Sequence, residues 1–135
     1  MPWCRIDKSY SAGEGIRKVD MNGLEEVLRH LRVFVAERDW QQFHDPKNLA
    51  MAISSEAGEL LAEYRWITND NSDEYSRRSD VKERVTTEAA DVGISLLLFC
   101  ERVEIDLVAA MQQKIAQNEQ NYPAYLSRGR SDRPI

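Results

Sequence analysis

The chain has 135 residues, 42% hydrophobic and 30% charged, the size and balance of one globular domain with a single core. Its net charge of −5 argues against nucleic acid or an anionic membrane surface as a partner, and six Gly with four Pro argue against a turn-rich β-sandwich. Two cysteines, Cys4 and Cys100, give neither a disulfide framework nor a zinc site, so a reducing cytoplasm is expected.

Residues 1–20 are polar and aperiodic and read as a disordered or tag-derived leader, with Met21 able to serve as a second start. The stretch carries no signal-peptide apolar region, and no apolar run of the chain is long enough to span a membrane. The domain proper is expected over 21–126, followed by a flexible tail over 127–135.

A first helix is expected over about 22–39, with Asn22 as cap and Glu25 in capping-box position. Leu24, Val27, Leu28, Leu31, Phe34 and Val35 form its apolar stripe. An aromatic linker from Trp40 to His44 follows. Asp45 and Pro46 then mark the start of a second helix reaching to about Trp66, since proline suits the first helical position. The polar segment 68–79 reads as a loop. Asp80 and Glu83 signal the start of a third helix over 80–103, apolar on nearly every side of its second half, and Asp106 opens a fourth that stops before Pro123. No strand pattern competes, so the expected fold is all-α, most simply a four-helix bundle.

The second and third helices each carry an acidic pair spaced i, i+3: Glu56 with Glu59, and Glu88 with Asp91. Residues three apart share one side of a helix. Apolar neighbours flank both pairs, and burying four carboxylates is costly unless a cation holds them. An all-oxygen, anionic site suits Mg²⁺, or Mn²⁺, better than Zn²⁺. Mg²⁺ is typically shared with substrate phosphates, so the chemistry to expect is phosphoanhydride hydrolysis. Di-iron bundles use Glu-x-x-His motifs, but His30 and His44 lie in neither pair.

Glu56-Ala-Gly-Glu59 followed by Glu88-Ala-Ala-Asp91 resembles the ExxE…ExxD signature of the MazG-type nucleotide pyrophosphohydrolases, over residues 24 to 126. The blocks around Trp40-Gln-Gln-Phe43-His44, Lys47-Asn48-Leu49, Trp66 and Lys114…Asn118…Tyr122-Pro123 make the dCTP pyrophosphatase branch the nearest. The resemblance implies a four-helix MazG-like fold that cleaves a nucleoside triphosphate to monophosphate and pyrophosphate, as a nucleotide-pool housecleaning enzyme. It implies Glu56, Glu59, Glu88 and Asp91 as metal ligands, one of which could also orient the attacking water. Trp40 and Trp66 would stack on the base. His44 beside Trp40, Lys47 and Asn48 in the first turn of the second helix, and Lys114, Asn118 and Tyr122 would add substrate contacts. Members form homo-oligomers with shared sites, here with a tetramer (a dimer of dimers) favoured over a dimer.

Three positions depart from the branch. Leu31, Ser95 and Asn121 stand where close relatives carry a histidine, a tyrosine and a basic residue. These changes fall where base or phosphate recognition would be set, so dCTP preference is expected with tolerance of dATP or modified pyrimidines. A dimeric dUTPase or a phosphoribosyl-ATP pyrophosphatase is an alternative against which the tryptophan blocks argue. The alternative from another class is a non-catalytic helical regulator.

Overall fold

A computed structural model describes residues 21–130, omitting the side chains of Met21 and Asn22. The leader, Cys4 and the end of the expected tail therefore lie outside the described residues. All regular structure among the described residues is helical: α1 (Met21–Glu37), a 3-10 turn (Trp40–Phe43), α2 (Pro46–Tyr64), α3 (Asn69–Arg77), α4 (Ser79–Arg102), α5 (Leu107–Asn121) and α6 (Ala124–Ser127). No described helix is long and apolar enough to cross a membrane.

Helix starts explain where the chain bends. After α1, Asp39 adopts a left-handed conformation (φ 51°), which Asp tolerates better than most residues. Gln42 donates its Nε2 to both the main-chain and side-chain oxygens of Asp39 at 2.9 Å, fixing the turn that carries Trp40. Asp45 then caps α2 by accepting from the Asn48 amide at 3.0 Å, with Pro46 as the first helical residue. Asp106 caps α5 in the same way, accepting from the Ala109 amide at 2.9 Å.

Three local expectations are corrected. The segment expected as a loop over 68–79 contains α3. Its composition is polar, but Asp70 near its start and Arg77 in its last turn match the helix dipole. Tertiary contacts then hold it: the Tyr75 ring meets Tyr64 edge-on at 6.0 Å, and the Tyr64 hydroxyl lies 3.0 Å from Ser76 Oγ. Asp80 does not cap α4, which begins a residue earlier after Arg78; its carboxylate instead accepts from Arg78 at 3.1 Å. Asn22 falls inside α1 rather than before it. At the other end, α6 runs to Ser127, the first residue of the expected tail.

The core lies between α2 and α4, which run antiparallel as the principal packing pair, with α1 and α3 laid against α4. Val35, Leu49 and Leu98 form the buried cluster, and Leu31, Trp40, Ile94 and Phe99 pack around it. From Asp91 to Glu101 no residue of α4 is exposed, matching the apolar girdle read from the sequence. Cys100 is buried there, and burial raises its thiol pKa. By contrast α5 contributes no buried residue.

Candidate active site

The i, i+3 spacing places each acidic pair on one side of its helix, and the antiparallel register turns the two pairs towards each other. The register can be read from contacts. Leu49 packs with Leu98 in the core, and Arg84 on α4 donates to Glu63 on α2 at 2.9 Å. Between those two rungs the same alignment sets Ala52 opposite Ser95, Glu56 opposite Asp91, and Glu59 opposite Glu88. Carboxylate oxygens of Glu56, Glu59 and Glu88 accordingly lie within 4.8 Å of one another.

The site is graded in depth. Glu56 and Asp91 are buried, Glu88 is half-buried and Glu59 is exposed at the mouth. Burial raises the pKa of Glu88, and the charges of Glu59, Asp91, Glu56 and Glu63 add to the effect. Asp91 is raised by burial and then by Glu56 and Glu59. Raised carboxylate pKa values mark charges that the surroundings do not fully compensate. An oxygen-only donor set of this charge fits a hard divalent cation, which would be held by Glu56, Glu59 and Glu88 with Asp91 at the inner end.

One turn from Asp91 along α4, Ser95 is fully buried, and its Oγ has no hydrogen-bond partner among the described residues. Beyond it stands Trp40, half-buried against the core and in edge contact with Phe34 at 5.6 Å. Next to that core, Arg32, Gln41, His44 and Arg102 line a cleft of about 330 Å³. His44 is buried, and its pKa is lowered by that burial and by the Arg102 charge.

The remaining expected contacts are dispersed over this chain. Trp66, just past α2, is 87% exposed and stands apart from the core that receives Trp40. Lys47 is exposed, while the Asn48 amide side chain donates to the Phe43 carbonyl at 3.1 Å. On α5, Lys114 donates to Gln117 at 3.2 Å, and Asn118 and Tyr122 are exposed beside it. The Arg84–Glu63 pair was missed by reading the sequence, although each member lies four residues from a carboxylate of the quartet.

Similarity to known proteins shows the family. No protein-family profile matches the chain. A crystal structure of a pyrophosphatase from Archaeoglobus fulgidus superposes with a TM-score of 0.71 at 39% identity, covering 81% of this chain and 99% of that one. The chain belongs to the MazG-like nucleotide pyrophosphohydrolases. Among curated proteins, dCTP pyrophosphatase 1 of Rattus norvegicus is 37% identical over 106 residues, and that of Homo sapiens 36% over 108. These alignments take in 78% and 80% of this chain but 62% and 64% of the relatives, so the chain spans less than two thirds of their length.

Proposed function

We propose that this chain is a Mg²⁺-dependent nucleoside triphosphate pyrophosphohydrolase that releases monophosphate and pyrophosphate and favours dCTP. The observation that carries the reading is the convergence of the Glu56, Glu59 and Glu88 carboxylates within 4.8 Å, with Asp91 buried beside them. Mg²⁺, or Mn²⁺, held there would neutralise charge on the phosphoryl oxygens and acidify a water. One carboxylate of the quartet would also orient that water. Trp40 and Trp66 offer aromatic faces to the base, with His44, Lys47, Asn48, Lys114, Asn118 and Tyr122 as further contacts.

Ser95 is smaller than the tyrosine expected there in the dCTP branch, and Leu31 lacks the hydrogen-bonding ring of the expected histidine, which supports tolerance of dATP or modified pyrimidines. The exposed apolar side chains of Met111, Ile115, Tyr122 and Tyr125 on α5–α6 support a homo-oligomer, with a tetramer favoured over a dimer. In a reducing cytoplasm, such an enzyme would serve nucleotide-pool housecleaning.

Assaying the protein with each of the four dNTPs and Mg²⁺ tests the reading. It predicts dCTP as the leading substrate and at least about a 100-fold loss of turnover in Glu59→Gln. Unchanged activity in Glu59→Gln, or no turnover of any dNTP by the parent chain, would refute it.

A further inference from the structure

The α2–α4 seam changes character in a fixed order. At one end Leu49 and Leu98, with Leu31 and Trp40 around them, are apolar and aromatic. Then come the small buried pair Ala52 and Ser95, followed by the carboxylate quartet. The next rung outward is Glu63 with Arg84, a cation on the α4 side. The Arg84 Nε donates to Glu63 Oε2 at 2.9 Å, and its Nη1 donates to the Asp80 carbonyl at 3.1 Å. Nη2 reaches only the Tyr75 hydroxyl, at 3.4 Å. Bonds to Glu63, Tyr75 and Asp80 raise the Arg84 pKa, so it stays charged, and its side chain is 44% exposed.

We propose that Arg84 receives the pyrophosphate end of the substrate, so that the nucleotide lies along the seam with its base towards Trp40. The inference deepens the reading given under Proposed function and rests on it for the identity of the substrate. Arg84 lies four residues from Glu88, about 6 Å along the helix axis, within reach of phosphates flanking a metal held by the quartet. Trp40 packs on the core at the other end of the quartet, so base and terminal phosphate are assigned opposite directions. A guanidinium has five N–H donors in a planar fork suited to phosphate oxygens, and the contacts of Arg84 with Glu63, Asp80 and Tyr75 leave one of them over, on Nη2. Glu63 and, more loosely at 3.5 Å, the Asp80 carboxylate are the resting partners of this cation, and a phosphate group competes with them for the same charge.

Calorimetric binding of inorganic pyrophosphate and of dCMP, each with Mg²⁺, tests the proposal on the full chain. Arg84→Met is expected to weaken pyrophosphate binding by about tenfold or more while dCMP binding changes less than about twofold. Arg84→Lys should retain part of the affinity, and Glu63→Gln, which removes the closer of its two carboxylate partners, should bind pyrophosphate at least as tightly as the parent chain. Unchanged pyrophosphate binding in Arg84→Met, or equal loss of both ligands, would overturn the proposal, as would a parent chain that does not bind pyrophosphate. If Arg84→Met fails to fold, Glu63→Gln decides: weaker pyrophosphate binding there means the ion pair is only a brace between helices. A parent chain that binds pyrophosphate through Arg84 yet turns over no dNTP would sink the enzymatic reading and leave the anion site standing.

Discussion

The α2–α4 seam and the α5–α6 arm are both helical, yet they are stabilised in opposite ways. Along the seam the chain buries Leu49, Ala52, Ser95 and Leu98 and places carboxylates among them. In α5 no side chain is buried, and Met111 and Ile115 face outward. The seam's cost is charge that its surroundings leave partly uncompensated, as the raised pKa values of Glu88 and Asp91 show. What the arm lacks is apolar cover, because its cost is hydrated hydrocarbon.

The largest effect expected from breaking this contrast is at the seam's core. Leu49→Ala should destabilise the protein by about 2–5 kcal/mol in denaturant melts, since Leu49 is almost wholly enclosed. A cost under about 1 kcal/mol would mean that the seam is loosely packed.

Metal and pH come next. The raised pKa values of Glu88 and Asp91 mean that the fold holds these protons more tightly than the unfolded chain does. Their contribution to stability is present below the ordinary carboxylate pKa and is lost as pH rises through the shifted values. Metal-free protein should therefore weaken as pH climbs through that window. Mg²⁺ at about 100 times its Kd should restore about 2.7 kcal/mol. Thermal melts with Mg²⁺ and with EDTA should show a larger metal effect at about pH 8 than at about pH 5. Equal effects at both would place the ion away from the quartet.

Asp45→Ala removes the cap of α2 and should cost about 1 kcal/mol in the same melts, the usual scale for such a bond. The smallest folding effect belongs to the arm. Ile115→Ser, at a residue 58% exposed, should change the stability of a lone chain by less than about 0.5 kcal/mol. If a second copy covers α5, the same substitution should lower the mass measured by light scattering. An unchanged mass would free the arm from the proposed assembly.

How much of this was legible in the sequence follows the same division. Asp45-Pro46 and Asp106 located two helix starts because a cap is a local event, decided within four residues. The four carboxylates were legible because i, i+3 spacing fixes their facing once helices are assumed. Helix α3 was not: its residues are polar, and what holds it is Tyr75 against Tyr64 and Arg84, contacts reaching into α2 and α4. The Glu63–Arg84 pair was hidden for a related reason, since its partners are 21 positions apart and meet only when the antiparallel register is known. Trp66, Lys114, Asn118 and Tyr122 were singled out through resemblance, and all four are exposed on this chain.

Under the proposed function, the Glu56–Glu59–Glu88–Asp91 site cuts a triphosphate so that two phosphates leave together. Resolving the products of dCTP by anion-exchange chromatography, with Mg²⁺ and then with EDTA, tests it most directly. Equal amounts of dCMP and pyrophosphate with Mg²⁺, and neither with EDTA, are the predicted result; dCDP with orthophosphate, or turnover that survives EDTA, would contradict it.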